Sequence, residues 1–202
     1  EEGVLIDNFL LVAGGRLREA ETEKLFTTAP YPTRNFRHNL ADLKAHIAGN
    51  EKGVQELRKM IDHFGLDVVH AYMKHVQDNA EECVRRVLGV LTDGSYEYEM
   101  DSGAKICVAI KVDHEAREAT IDFTGTSPQQ NSNFNAPSSV CMAAVLYVFR
   151  LMVDDDIPLN AGCLKPLNVI IPEGCMLAPV YPAAVVAGNV ERSQAAIGSA
   201  HV

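Results

Sequence analysis

Apolar residues in the first half of the chain recur every three or four positions. One series covers residues 40–64 and a second covers residues 69–87, with charged and amide residues between their members. This spacing places the apolar side chains on one face of an α-helix. Gly65 lies between the two series, where a glycine commonly ends a helix. We therefore predict two amphipathic helices that pack together as a hairpin over residues 39–91, with Asn39 as the N-cap of the first.

The packed face of this hairpin should consist of the apolar side chains at which the two helices meet. We predict that the following side chains are buried: Leu57, Met60, Ile61, Phe64, Val69, Met73, Val76 and Val87. On this interpretation, replacing Phe64 by alanine would cost about 3–5 kcal/mol, because a large side chain would be lost from a core.

The apolar period changes from that of a helix to that of a strand after residue 94. Apolar residues then alternate with polar ones in three runs: Tyr96, Tyr98 and Met100; Ile106, Val108 and Ile110; Ala119, Ile121 and Phe123. A period of two is typical of half-buried strands, so we predict an antiparallel meander. Residues 137–153 are apolar on every face and predict a buried helix. Residues 167–171 predict a buried strand.

Together these elements predict an α+β fold, with a helical hairpin, an antiparallel β-meander and a mixed α/β C-terminal portion that contains one buried helix. Residues 1–38 include a short apolar run that ends at Gly14-Gly15, which favours a strand or hairpin followed by a loop. We divide the chain into this strand and loop segment, a helical pair over residues 39–91, and residues 92–202, which we interpret as part of a larger domain.

Composition and charge narrow the class of protein. The 202 residues are 47% hydrophobic and 22% charged, which is ordinary for a globular chain. The formal net charge of -9 disfavours nucleic acid as a partner, because phosphate binding relies on clustered lysine and arginine. The apolar run of residues 140–153 is too short to span a bilayer. Five dispersed cysteines indicate a reducing compartment, so we expect a cytoplasmic protein.

An amide-rich loop is the first candidate site. Asn131, Asn133 and Asn135 precede the predicted buried helix, which should begin near Pro137. If Asn135 caps that helix, the free N–H groups and the positive end of the helix dipole face the loop and can hold an anion, such as a substrate carboxylate. The alternative is a hydrogen-bonded turn with nothing bound to it.

Asp122 is the candidate catalytic residue, because a carboxylate at the end of a strand is held on a rigid element, as a general base must be. The alternative is an Asx-type turn, in which Asp122 accepts hydrogen bonds from the N–H groups of Thr124 and Gly125. Further candidates for substrate binding are polar side chains in apolar surroundings: Asn160, Asn189, Ser193 and Gln194. Burial of such groups is costly unless they are satisfied, so they are either structural hydrogen-bond hubs or ligand contacts.

The histidines do not have the spacing of a metal site. His63 and His70 are two helical turns apart, and His70 and His75 differ by five positions. Neither pair has the one-turn relation of zinc-binding helices. We therefore predict no metal ligand within this segment.

Several blocks of the sequence resemble the hydantoinase B/5-oxoprolinase family. The most specific are residues 122–127 (Asp-Phe-Thr-Gly-Thr-Ser), residues 157–162 (Ile-Pro-Leu-Asn-Ala-Gly) and residues 187–194 (Ala-Gly-Asn-Val-Glu-Arg-Ser-Gln). The resemblance runs over nearly the whole chain. One departure is His46, which stands where relatives have glutamine. The chain also begins without a methionine or a basic-then-apolar leader, so we interpret it as a piece of a longer protein with no secretory signal in this segment.

The resemblance implies an ATP-dependent amidohydrolase of glutathione metabolism that opens 5-oxoproline to glutamate. It implies that one half of the enzyme phosphorylates the lactam oxygen with ATP and that the hydantoinase-B-like half completes the hydrolysis. ATP would be bound by a hydantoinase-A-like ATPase half or subunit, and any divalent metal by residues outside this segment. A small lactam substrate and a homo-oligomeric assembly are also implied. No phosphate-binding lysine follows the Thr-Gly-Thr-Ser turn in this chain.

Two alternatives stay open. An N-methylhydantoinase or an acetone-carboxylase-type subunit would keep an enzymatic role with another substrate, because those proteins share the same blocks. A non-catalytic scaffold, whose amphipathic helices dock the ATPase half, would have no substrate site at all. Convergence of Asn133, Asn160 and Asn189 in one pocket would favour substrate binding, whereas scattered positions with backbone partners would favour the scaffold.

Overall fold

A computed structural model describes residue 4 and residues 6–190, and it confirms the α+β fold class. In this part of the chain the elements are β1 (Val12–Ala13), β2 (Arg16–Leu17), α1 (Glu19–Thr27), α2 (Phe36–Phe64), α3 (Leu66–Leu88), β3 (Gly94–Glu99), β4 (Lys105–Asp113), β5 (Glu118–Asp122), α4 (Ser138–Met152), a 3-10 helix (Ala161–Leu164) and β6 (Leu167–Ile170). They form two compact units, residues 1–69 and residues 70–202. The division into three segments stays a prediction.

The first unit opens with a β-hairpin. β1 and β2 pair antiparallel, with Val12 opposite Leu17. The turn between them consists of Gly14, with a φ of 56°, and Gly15, with a φ of 75°. Positive φ at both positions matches the twist of the flanking strands and favours glycine. The predicted hairpin at Gly14-Gly15 is therefore confirmed.

Helix α1 lies where the sequence predicts a loop. Four of its nine residues are charged and only Thr22 is buried, so it shows no apolar period of the kind that marks a helix. Its glutamate, alanine and lysine residues have high helix propensity. Glu19 and Glu21 lie in the first turn, where the helix dipole favours acidic side chains. The prediction of a loop over this part of residues 1–38 is wrong.

Helix α2 begins one turn earlier than predicted. Its N-cap is Asn35, whose side chain accepts a hydrogen bond from the N–H of His38 at 3.3 Å. The predicted cap, Asn39, lies inside the helix and accepts a hydrogen bond from the hydroxyl of Thr33. That prediction is wrong, because two asparagines one helical turn apart carry the same local signal. Gly65 ends α2 as predicted, with φ 85° and ψ 150°, a backbone conformation open to glycine.

The apolar side chains predicted to pack between α2 and α3 are mostly exposed. Met60 is 49% exposed and Phe64 is 56% exposed, whereas Val69 is buried. Three further members of the predicted set are also exposed: Leu57, Met73 and Val76. The predicted burial of this face is wrong, and with it the large cost expected for loss of the Phe64 side chain. The apolar period identifies the face of a helix but not what covers it.

The second unit is built on a four-stranded sheet in the order β3-β4-β5-β6. The first three strands pair antiparallel, with Tyr96 opposite Val108, so the predicted meander is confirmed. The predicted strand at residues 167–171 is β6, which pairs parallel with β5 and makes the sheet mixed. Within β6 only Leu167 is buried. The prediction of a fully buried strand there is therefore wrong.

One hydrophobic core joins the sheet to α3 and α4. It contains Ala80, Cys83, Val84 and Leu88 from α3; Ile106, Val108, Ala119, Ile121 and Phe123 from the strands and their ends; and Cys141, Val145 and Phe149 from α4. The outer side of α4 is exposed at Tyr147 and Leu151, although those residues are apolar too. This core fixes the end of β5, where the candidate site begins.

Leu88→Ala should lower the free energy of unfolding by about 2–5 kcal/mol, because Leu88 is fully buried in this core. Leu159→Ala is the control, since Leu159 is 56% exposed and its truncation should change stability by less than about 0.5 kcal/mol. Urea denaturation at one protein concentration measures both effects. Equal losses in the two variants would contradict the assigned core.

Candidate functional site

Asp122 ends β5 with a hydrogen-bonded turn. Its Oδ1 accepts hydrogen bonds from the backbone N–H of Thr124 at 2.8 Å and from the Thr124 hydroxyl at 2.6 Å. These two bonds hold the pKa of Asp122 below its usual range. A general base is most effective when its pKa lies near the working pH, so this carboxylate is a weak proton acceptor at neutral pH. The bond from the N–H of Thr124 matches the Asx-type turn, whereas the second donor is the Thr124 hydroxyl and not the predicted N–H of Gly125. A catalytic role for Asp122 stays a prediction.

Two hydroxyl groups attach the loop after β5 to strand β4. Thr126 is buried, and its Oγ1 accepts from the N–H of Cys107 at 3.1 Å and donates to the carbonyl of Cys107 at 3.2 Å. The Oγ of Ser127 accepts from the N–H of Lys105 at 2.9 Å. Side chains therefore continue the pairing with β4 after β5 has ended. The amide-rich loop consequently leaves the sheet in a fixed direction.

Asn135 is a buried hydrogen-bond hub within that loop. Its Oδ1 accepts from the N–H of Gln130 at 2.7 Å. Its Nδ2 lies 3.0 Å from the carbonyl oxygens of Gln130 and Ser132 and 2.9 Å from that of Ala184. It does not cap α4, whose N-cap is Pro137 without a side-chain hydrogen bond, so that part of the prediction is wrong. Asn135 instead joins the loop to the segment at Ala184, and a substrate contact from it stays a prediction.

Gly188 brings the segment of residues 184–190 onto the amide-rich loop. Its N–H donates to the carbonyl of Asn133 at 3.0 Å. A Cβ at this position would overlap the carbonyl oxygens of Phe134 and Asn135, so the two backbones meet only because residue 188 is glycine. Asn189 is the next residue in the chain after Gly188. We call this meeting of residues 131–135 with residues 184–190 the amide junction, and it holds Asn131, Asn133, Asn135 and Asn189.

Asn160 occupies a different place, against helix α3. Its Oδ1 accepts from the N–H of Gly162 at 2.8 Å, and its Nδ2 donates to the carbonyl of Pro158 at 3.0 Å and lies 3.5 Å from that of Val76. A Cβ on Gly162 would overlap the carbonyl oxygen of Gln77. Asn160 therefore docks the 3-10 helix on α3 through backbone partners, which is the arrangement expected of the non-catalytic scaffold. Its assignment to substrate binding stays a prediction, and Ser193 and Gln194 lie outside the described residues.

Sequence reasoning missed the side chains and carbonyls that support the junction. The Oε1 of Gln129 accepts from the N–H of Val180 at 2.7 Å, and Ala184 supplies the third carbonyl to Asn135. These partners are about fifty positions apart in the sequence, so no local pattern pairs them. The one available signal was the glycine beside an asparagine at Gly188-Asn189, which marks a close approach of backbones without saying which backbone approaches.

No group of three or more histidine, cysteine or acidic side chains is placed to hold a metal ion in the part of the chain that the structure describes. Over the same residues, no helix combines the length and the apolar character needed to cross a membrane. The amide junction offers neutral amide side chains and backbone groups instead. Such groups can both donate and accept hydrogen bonds, which suits a small polar ligand with an amide or a carboxylate.

Comparison with known proteins identifies the family of this chain. The family model described as hydantoinase B/oxoprolinase matches residues 1–200, and the chain belongs to this family. A 5-oxoprolinase of Dictyostelium discoideum is 41% identical over 204 residues, which cover 96% of this chain. The chain spans 16% of that relative's length. It is therefore similar to one part of a much longer enzyme.

Two solved structures share the fold. The ATP-dependent caprolactamase from Pseudomonas jessenii has a TM-score of 0.72 and 21% sequence identity, over 94% of this chain and 33% of the other. The nucleotide-free structure of an acetone carboxylase has a TM-score of 0.65 and 13% identity, over 89% of this chain and 26% of the other. At such identities the likeness establishes the fold alone, and substrates do not follow from it.

Gly188→Ala should weaken the junction, because the added Cβ forces the two backbones apart. We expect a loss of about 1–3 kcal/mol in the free energy of unfolding, the range for overpacking a tight contact. Hydrogen exchange at residue 188 should also become faster. Gly94→Ala is the control, since a Cβ there has nothing within 4 Å. If the two variants behave alike, the backbone contact at Gly188 is not a tight one.

Proposed function

We propose that this chain is part of an ATP-dependent cyclic-amide hydrolase of the cytoplasm, in which it takes part in opening 5-oxoproline to glutamate. The proposal extends the 41% identity with a 5-oxoprolinase, which covers nearly the whole chain, to the substrate. The observation that carries it is the amide junction, where the N–H of Gly188 donates to the carbonyl of Asn133 and brings Asn189 to the amide-rich loop.

The chemistry of the junction suits the proposed substrate. A five-membered lactam with a carboxylate has one N–H donor, one amide oxygen and one anionic group. Asparagine side chains can pair with all three through their donor and acceptor ends. Because Asn135 and Gly188 hold the loop in place, the amides of Asn133 and Asn189 would be preorganised, and preorganised donors stabilise charge that develops on an oxygen during reaction.

The ATP-consuming step belongs, on this proposal, to a hydantoinase-A-like ATPase half or subunit. The caprolactamase that shares this fold is itself described as ATP-dependent. No strand, glycine-rich turn and lysine follow one another in this sequence as they do in phosphate-binding loops. The residues of this chain would therefore bind and orient the lactam, while activation by ATP takes place on the other half.

In the full-length polypeptide that carries this segment, Asn133→Ala and Asn189→Ala should each lower turnover of 5-oxoproline by about 100-fold or more. This is the usual effect of removing one preorganised donor. Asn168→Ala is the matched control, because Asn168 is an exposed amide on β6 outside the junction. An ATP-coupled assay measures turnover, and thermal unfolding checks that each variant is folded.

Two outcomes would count against this proposal. Turnover that is unchanged in both junction variants would make the asparagines structural. Activity with hydantoins or ketones in place of 5-oxoproline would assign the protein to an N-methylhydantoinase or an acetone-carboxylase type of enzyme, with the same fold and another substrate.

Asp122→Asn tests the proposed general base without disturbing the turn. Asparagine keeps the Oδ1 that accepts from Thr124, so the free energy of unfolding should change by less than about 1 kcal/mol. Loss of the carboxylate should lower turnover by at least about 100-fold if it transfers a proton. Full activity in Asp122→Asn would leave Asp122 as the acceptor of a structural turn.

A further inference from the structure

Two amide side chains, one just before the amide junction and one within it, reach residues 180–190, which we call the returning segment. The Oε1 of Gln129 accepts a hydrogen bond from the N–H of Val180 at 2.7 Å. The Nδ2 of Asn135 lies 2.9 Å from the carbonyl oxygen of Ala184. The returning segment is therefore held by side chains at two points before it meets the amide-rich loop.

The contact from Gln129 is made from a fixed base. Its own N–H donates to the carbonyl of Gly174 at 2.9 Å, and the preceding residue, Pro128, pairs antiparallel with Cys175. Cys175 belongs to the hydrophobic core. Because the backbone on both sides of this pairing is anchored to the core, the side chain of Gln129 extends from a position that is fixed by the fold.

The other end of this contact lies where the returning segment begins. The N–H of Gly174 donates to the carbonyl of Ala178 at 2.9 Å, which closes a turn just before the segment. Val180 lies two residues beyond that turn. The bond from Val180 to Gln129 therefore sets the direction in which the chain leaves the turn.

The two side-chain contacts differ in what else they stabilise. Asn135 is fully buried, and its Nδ2 also lies 3.0 Å from the carbonyl oxygens of Gln130 and Ser132 within the loop. Its substitution would therefore disturb the loop itself. Gln129 is exposed, and its Oε1 contacts the returning segment. Loss of this acceptor should free the returning segment and leave the loop folded, so the effect of Gln129 on the site can be measured separately from the fold.

The course of the returning segment decides where Asn189 stands. A backbone hydrogen bond of 3.0 Å joins Gly188 to Asn133, and Asn189 is the next residue. One hydrogen bond is a weak constraint by itself. A group that takes part in a reaction loses as much as about 100-fold in rate when it is displaced by about 1 Å. A fixed start of the segment narrows the range of positions that Asn189 can take.

We propose that Gln129 is a positioning residue, which acts through the N–H of Val180 to hold Asn189 beside Asn133. The proposal rests on the proposed function, in which these two asparagines contact the lactam. Gln129 contributes an acceptor for one backbone N–H group and does not touch the substrate. Position 129 therefore requires a side-chain oxygen at the right distance, whether it belongs to an amide or to a carboxylate.

Steady-state kinetics of the full-length polypeptide that carries this segment tests the role of Gln129. Gln129→Met removes the acceptor and keeps the length of the side chain, so kcat for 5-oxoproline should fall about 10-fold or more, with the KM for ATP unchanged. Gln129→Glu keeps an acceptor for Val180 and should restore most of kcat. Gln77→Met is the matched control, because Gln77 is an exposed amide on α3 outside the junction.

Hydrogen exchange gives a readout that does not depend on turnover. In Gln129→Met, the N–H groups of Val180 and Gly188 should both exchange about 2–10-fold faster, which is the effect of losing one hydrogen bond. Thermal unfolding checks that the variant is folded. Faster exchange at Val180 alone would show that the contact is local, and this result overturns the proposal.

Comparison with the asparagine variants separates the two proposals. Wild-type kcat in Gln129→Met, together with low turnover in Asn189→Ala, overturns the role of Gln129 and leaves the proposed function in place. Low kcat in Gln129→Met, together with wild-type turnover in Asn133→Ala and Asn189→Ala, overturns both, because Gln129 would then act through another group. A Gln129→Glu variant that does not restore kcat would show that an acceptor at this position is not sufficient, and it also overturns the role of Gln129.

Discussion

A buried amide side chain is the interaction on which the candidate site depends. The Oδ1 of Asn135 accepts a hydrogen bond from one N–H group, and its Nδ2 donates to carbonyl oxygens from two segments of the chain. A buried polar group that loses its partner costs roughly 1–3 kcal/mol. The Nδ2 group has two hydrogens, so the carbonyls of Gln130 and Ser132 can satisfy it within the loop, and the carbonyl of Ala184 is a third acceptor from the second segment. The hub therefore orders the loop by itself and also connects the loop to the segment at Ala184.

The same combination of asparagine and glycine is used twice in the second unit. At the junction, Asn135 orders a loop and Gly188 allows a second backbone to approach it. At the 3-10 helix, Asn160 orders the turn and Gly162 allows it to touch α3. Blocks rich in asparagine and glycine can thus be structural in origin. The amides of Asn135 and Asn160 bind backbone groups, which distinguishes these two residues from Asn131 and Asn133, for which we propose contact with substrate.

The sequence predicted those parts of the fold that have a local period or a local turn signal. The alternation from Tyr96 to Phe123 identified the meander, and Gly14-Gly15 identified the first hairpin. Burial could not be predicted in the same way, because the exposed face of α2 and the buried face of α3 show the same helical period. The cap of α2 was misplaced because Asn35 and Asn39 are equivalent as local signals. For the site, the sequence identified the amide-rich residues. It did not identify Ala184 as a partner of Asn135, because the two residues are 49 positions apart and no local pattern pairs them.

The two units differ in how much of their apolar surface is buried. In the second unit, one continuous core holds the sheet, the end of β5 and the loop that leads to the junction. Its candidate chemistry therefore rests on packing that lies within the unit itself. In the first unit, α2 buries Leu40 alone and leaves a long apolar series in solvent. Such a helix adds little to a core, because its apolar side chains stabilise the protein only when they are covered and removed from water.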